Sequence, residues 1–249
     1  MTVNNIYNVL NNLFPFNLAL DFDNTGLLIG EQNSTVKKAV VALDCTTKVL
    51  DFAINNGAEL IITHHPVIFT PLKTITENTL AYKIIKSGVS VISAHTNLDT
   101  AEGGVNDCLA ECLGLENISP VICPDGFTFR KGVLPAAMQP EEFALFAANK
   151  LGAGARFVCG NRAIKTVAVC SGSGSDMFHI AAEQFIDAFV SSEIKHNVLI
   201  SSFDAGITTI DCGHFATENV VITPLCNKLA AALPEVQFIP YTQGIIKNI

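Results

Sequence analysis

The chain alternates short apolar runs with amphipathic stretches that end in glycine, and this alternation restricts its fold more than any other feature. Lys38–Asp44, Ala58–Thr63 and Val89–Ala94 have the length and β-branched content of buried strands. Thr46–Gly57 and Thr76–Gly88 carry helical periodicity with a glycine stop, and Val105–Leu113 is a shorter helix before Gly114. The order β-α-β-α-β-α predicts a mostly parallel sheet covered on both faces. The second half repeats the grammar: strand 130–134, helix 139–151, strand 165–170, helix 176–189 with Asp176 as N-cap, strand 206–211, a mostly helical stretch 216–233 and strand 236–239. Lys38-Ala-Val-Val-Ala-Leu and Lys165-Thr-Val-Ala-Val-Cys occupy corresponding places. The expectation is an α/β fold of two similar units with mostly parallel mixed sheets flanked by helices. The seam falls near Pro120–Gly126, giving units 1–125 and 126–249, which can also pack as one globule.

Composition removes several classes of function. The formal net charge is −8, from 15 Lys+Arg against 23 Asp+Glu, with no basic run longer than Lys37-Lys38. Such a chain is not a dedicated duplex-DNA binder, which needs clustered cations against phosphates. No apolar run approaches the roughly 18 residues of a membrane span. The first residues lack the basic start and cleavage site of a secretory signal. With 49% apolar and only 15% charged residues, disorder is excluded and a homo-oligomer is expected. Eight cysteines without a Cys-x-x-Cys pair read as reduced core thiols, placing the chain in the cytoplasm.

Four of six histidines stand where apolar strands end, and ligands of open α/β sheets bind beyond the carboxyl ends of strands. His64 and His65 follow strand 59–62; neighbours in extended chain point apart, so they suit two ions side by side better than one, or else they cap the strand. His95 and Asp99 leave the next strand in Ser-Ala-His-Thr-Asn-Leu-Asp, which also fits a plain Asn-x-Asp turn. His214 and Glu218 are four residues apart, on one face once a helix begins, a spacing shared by metal ligands and solvated surface pairs. Glu193, Lys195 and His196 bring acid, ammonium and imidazole together, as proton carriers or as a surface loop. Ser171-Gly-Ser-Gly-Ser before a helix reads as a phosphate cradle lacking the P-loop lysine, or as a connection. Asp21-Phe22-Asp23-Asn24-Thr25-Gly26 is a turn with an acid able to face the site.

Taken together, Asp23–Gly30, Thr63-His64-His65-Pro66, His95-Thr96-Asn97-Leu98-Asp99 and Gly213–Glu218 resemble the Nif-three-like family, also called GTP cyclohydrolase I type 2 homologues, in its short form without an inserted middle domain. The resemblance implies a two-domain α/β protein with a dinuclear metal centre in the cleft between its units, and a hexameric ring. By motif, His65 and Asp99 would hold one ion, His64 and His214 the other, and Glu218 would bridge them. His95 would lie beside the metals. Where the family carries Thr-Gly-Glu-[Ile/Leu]-Lys-His-His, this chain has Ser191-Ser192-Glu193-Ile194-Lys195-His196-Asn197.

A dinuclear-metal-dependent hydrolase follows as the expected function, with metal-activated water attacking a nucleotide-like substrate. Glu193, His95 and His196 are the candidate proton carriers. Two divalent ions per chain are expected, and the mixed donors do not choose among Zn, Mn, Fe, Co and Ni. The other reading is a non-catalytic metal-binding assembly or regulatory partner.

Overall fold

The computed structural model describes residues 1–246. Its strands are β1 (Gly26–Ile29), β2 (Lys38–Ala42), β3 (Leu60–Thr63), β4 (Ser90–Ser93), β5 (Glu116–Ile122), β6 (Thr128–Met138), β7 (Arg156–Val158), β8 (Ile164–Val169), β9 (Ala188–Ser191), β10 (Thr208–Asp211) and β11 (Gln237–Tyr241). They form a five-stranded sheet, β1-β4-β3-β2-β11, and a six-stranded sheet, β5-β6-β8-β9-β10-β7. Helices flank both, a mixed α/β fold. No helix among the described residues is long and apolar enough to cross a membrane.

One compact unit comprises Met1–Ala101 with Ile222–Gln243. In it β2, β3 and β4 run parallel as neighbours, β11 is parallel to β2, and β1 closes the far edge antiparallel to β4. Val40, Val41, Ile61, Ile62, Val91 and Ile92 are fully buried. These strands read as continuous apolar runs because both sheet faces are covered. Thr46 caps helix Thr47–Asn55, its hydroxyl accepting the Val49 N–H at 3.3 Å. The helix expected from Thr76 begins at Leu80, because Thr79 takes the extended N-cap conformation and Gly88, at φ +75°, ends it. Helix Val3–Leu13, fixed by a Thr2–Asn5 capping box, buries Val3, Ile6 and Leu10 and was not apparent in the sequence.

The other unit comprises Glu102–Val221 and the chain from Gly244. Here β8, β9 and β10 are the adjacent parallel strands, while β5-β6, β6-β8 and β10-β7 pair antiparallel. This sheet is therefore mixed, with antiparallel pairs in the majority, where a mostly parallel one was expected. The difference lies in β5, β6 and β7, two of which carry no strong apolar run. The sequence places a boundary after residue 125; the contacts divide the chain at 101/102 and 221/222. The reason is long-range: β11 returns to pair with β2 in register Gln237–Lys38 through Tyr241–Ala42.

The expected helix 176–189 is a second correction. A 3-10 turn, Ser175–Met177, leads into a short helix, Phe178–Ala182, and Ala188–Ser191 is strand β9. Phe185 at φ +55° breaks the helix. Pairing of Ala188–Val190 with β8 and β10 on both sides outweighs the helical pattern. Asp176 is not the cap; it takes the Lys195 ammonium at 2.6 Å. All eight cysteines are free thiols, and burial pushes Cys45, Cys212 and Cys226 up to about 12, so they are unreactive.

Candidate metal centre

In the first unit the exits of three parallel neighbours gather one set of donors. Asp44 follows β2, His64 and His65 follow β3, and His95 follows β4. The backbone fixes their starting points: His64 N–H donates to the Ala42 carbonyl at 3.2 Å and His65 N–H to that of Leu43 at 2.9 Å. The two rings then part. His64 leans toward β4, its Nδ1 donating to the Ala94 carbonyl at 3.0 Å; His65 leans toward β2, its Nδ1 2.8 Å from Asp44 Oδ1. His95 Nδ1 lies 2.8 Å from Asp23 Oδ1. Burial works to raise the Asp23 pKa, but hydrogen bonds from His95 and Thr96 and the His95 charge outweigh it and bring it to about 2. Asp23 was read from the sequence as an acid able to face the site; it serves as the anchor for His95.

Each of these Nδ1 atoms faces an oxygen acceptor, so Nδ1 is the donor and Nε2 is the nitrogen that a metal would take. His64, His65 and His95 each offer a nitrogen within 4.8 Å of the others'. His64 is buried, and its Nε2 stands 3.7 Å from Oδ1 of the buried Asp99 on helix Thr96–Thr100. Asp99 therefore has the His64 ring beside it.

The second unit uses the same plan with different parts. Gly172 follows β8, Glu193 follows β9 and His214 follows β10. Gly213, at φ +79°, turns the chain into helix His214–Glu218. His214 Nδ1 is 3.0 Å from Glu193 Oε1, and its Nε2 is 3.0 Å from Oε2 of the buried Glu218. Glu193 reaches His214 from a left-handed backbone, φ +52°. Its carboxylate is committed to orienting an imidazole, where the sequence offered it as a proton carrier. His196 is exposed at the head of helix His196–Asp204, outside every metal-capable group formed by the described residues.

In the Ser171–Ser175 loop three of the five amides are taken up within the protein. Ser171 N–H donates to Asn106, Gly172 N–H to Thr217 Oγ1 at 3.1 Å, and Gly174 N–H to the Gly172 carbonyl. The loop closes on Glu218: a Cβ added at Gly172 would strike Glu218 Oε1 and come within 3.4 Å of His214 Nε2. Sequence reasoning missed Asp44, whose signal is an acid just beyond an apolar strand; it marked Gly172 only as part of a glycine-serine loop, because its packing on Glu218, 46 residues later, is not local.

The donor set fits divalent metal. Imidazoles that ligate metal characteristically give their second N–H to a carboxylate or a carbonyl, which fixes tautomer and orientation. Four rings here do so. Nε2 of His64 stands 3.7 Å from Asp99 Oδ1 and Nε2 of His214 3.0 Å from Glu218 Oε2, so within each unit an imidazole and a carboxylate are paired as mixed donors. Mixed nitrogen and carboxylate donors suit Zn, Mn, Fe, Co or Ni alike.

A family profile described as Duf34/NIF3 (NGG1p interacting factor 3) matches residues 1–243. A GTP cyclohydrolase 1 type 2 homolog of Clostridium perfringens is 34% identical over 251 residues, covering 96% of this chain and 95% of its own. A Staphylococcus aureus hypothetical protein of known structure superposes with a TM-score of 0.92 at 28% identity, over 100% of this chain and 99% of its own. Reduced HcgD from Methanocaldococcus jannaschii follows at 0.83 and 28%, over 96% and 97% of the two chains. On this full-length agreement of sequence and fold, the chain belongs to the DUF34/NIF3 family.

Proposed function

We propose that the protein is a dinuclear-metal-dependent hydrolase acting on a nucleotide-like substrate, as the name GTP cyclohydrolase 1 type 2 homolog borne by its relatives suggests. The observation that carries this reading is the orientation of His64, His65, His95 and His214, each held through Nδ1, which makes Nε2 the atom that a metal or a proton would take. In this reading, taken from the family motif, His65 and Asp99 would hold one ion, His64 and His214 the other, and Glu218 would be shared. When bound, such ions supply a Lewis acid for an oxyanion and bring the pKa of water toward neutrality. Asp23 holds His95 by Nδ1, so that in its neutral form His95 would accept a proton at Nε2 from the attacking water. Asp44 and Glu193 keep His65 and His214 in the ligating tautomer.

Elemental analysis of protein purified without chelator is the direct test. About two ions per chain are expected, fewer in His65→Ala and Asp99→Ala. Hydrolysis of GTP or of phosphoesters should require the metal and disappear in Glu218→Gln. Fully metallated protein that is inert toward a broad panel of both overturns the hydrolase reading. Asn197, exposed where the family motif has a second histidine, favours a second reading, a metal-containing assembly or regulatory partner. Under it, His64→Ala abolishes partner binding while no turnover exists to be lost.

A homo-oligomer, by the family resemblance a hexameric ring, and a reducing cytoplasmic location complete the proposal. Free thiols at all eight cysteines support the location. Phe185, Phe203, Leu145 and Ile122, each more than 60% exposed on the second unit, supply apolar surface for a neighbouring copy. Light scattering measures the assembly.

A further inference from the structure

Beside the three histidines of the first unit stand two phenylalanines that no part of the proposed metal chemistry uses. Phe22 is 64% exposed and Phe69 49% exposed. Two large aromatic side chains left this open are costly to hydration unless something covers them. They are also fixed in place. Phe69 packs edge-on against His95, ring centroids 6.2 Å apart at 86°, and against Phe22 at 6.3 Å and 62°. Asp23, the neighbour of Phe22, is bonded to His95 and Thr96. Ile68, the neighbour of Phe69, gives its carbonyl to Asn24 Nδ2 at 2.5 Å. His95 in turn lies 5.1 Å from the His64 ring and 5.6 Å from that of His65. Aromatic surface and imidazole donors therefore form one continuous, braced edge.

We infer that Phe22 and Phe69 form a stacking subsite for a planar heteroaromatic ring whose attached oxyanion reaches the metal-binding histidines. The inference rests on the metal reading above and adds to it the class of substrate. Exposed aromatic rings accept a flat base without hydrogen-bond readout, since every such base has a π-face. Asp21 and Asp23 flank Phe22 in the chain, so the anionic part of the ligand is directed away from them to the histidine cluster. A bare oxyanion engages the histidines alone; a ring-bearing one engages both.

Isothermal titration of the full-length metallated protein separates the two parts, with GTP as the ring-bearing probe and inorganic tripolyphosphate as the bare one. GTP should bind more tightly than tripolyphosphate, and Phe69→Ala should weaken GTP roughly five- to a hundredfold while leaving tripolyphosphate unchanged. Phe22→Ala should act in the same direction, and Phe69→Trp should retain or improve GTP binding. Equal affinity of the two probes for the parent protein overturns the subsite, as does GTP binding indifferent to Phe69→Ala. A changed oligomeric mass in Phe22→Ala with GTP affinity unaltered also overturns it, identifying the pair as a subunit contact. Failure of the metal reading looks different: neither probe binds and elemental analysis finds no metal.

Discussion

In the first unit, three imidazoles at the ends of β3 and β4 are held by a main-chain carbonyl and two aspartates, none of these residues at positive φ. In the second, one imidazole at the end of β10 is held by a half-exposed glutamate in a left-handed conformation, over a buried Glu218 fenced by a glycine. Both place their donors at the carboxyl ends of three adjacent parallel strands. The first set is determined by the register of its strands. The second depends on loop geometry, so single substitutions there should separate donor placement from fold stability more cleanly.

Gly172→Ala should produce the largest effect. The position has φ +59°, and the new Cβ meets the Glu218 carboxylate, so backbone strain and side-chain displacement act together. We expect metal affinity to fall at least ten- to a hundredfold. Gly30→Ala is the matched control in the first unit. At φ +114° its Cβ meets the Ser90 side chain and Cα, far from any donor by sequence. It should lower the melting temperature by several degrees, each kcal/mol being worth about 2–4 °C in a chain this long, with metal content unchanged. Full metal retention in Gly172→Ala, read by elemental analysis, breaks the contrast.

Why the two regions differ in legibility follows from the same physics. Strands β2, β3 and β4 and the helices between them were readable from sequence because the strands are buried on both faces and the helices carry caps at Thr46 and Thr79, whereas helix Val3–Leu13 and β1 were not. His64, His65, His95, His214 and Glu218 stood out because chemistry-bearing residues followed apolar runs. Long-range pairing was not readable: nothing local in 237–241 says that it joins β2, and nothing in 176–189 says that its end is a central strand. Glu193 was visible as a titratable residue, but its role required knowing that His214 lies beside it.

A smaller effect should separate strain from orientation at Glu193. A non-glycine residue in the left-handed region costs roughly 1–2 kcal/mol, so Glu193→Gly should raise the melting temperature by a few degrees at most, after loss of the His214 contact. The same change removes the acceptor on Nδ1, so metal affinity should fall about ten- to a hundredfold. Asp44→Ala removes the equivalent acceptor from His65 without any strain to release. It should lose affinity to a similar degree with no gain in stability. Metal titration followed by thermal melts of the apo proteins reads both quantities. A stabilised Glu193→Gly that keeps its metal affinity would mean that the carboxylate does not orient His214.

The smallest effect concerns acid. Asp23 has its pKa lowered from 3.8 to about 2 in the folded chain, so the folded state favours its ionised form. A carboxyl depressed on folding stabilises the protein fully above its unfolded value and loses that contribution as pH falls toward the folded value. The window is therefore about pH 4 down to about pH 2, and stability should decline within it. Asp23→Asn removes the titrating group, so the variant should be less stable at neutral pH yet show a shallower decline across the same window. Chemical unfolding of metal-free protein at a series of pH values measures both slopes. Parallel slopes would show that the bond from His95 to Asp23 contributes nothing to the fold, leaving the aspartate as an orienting group for the imidazole alone.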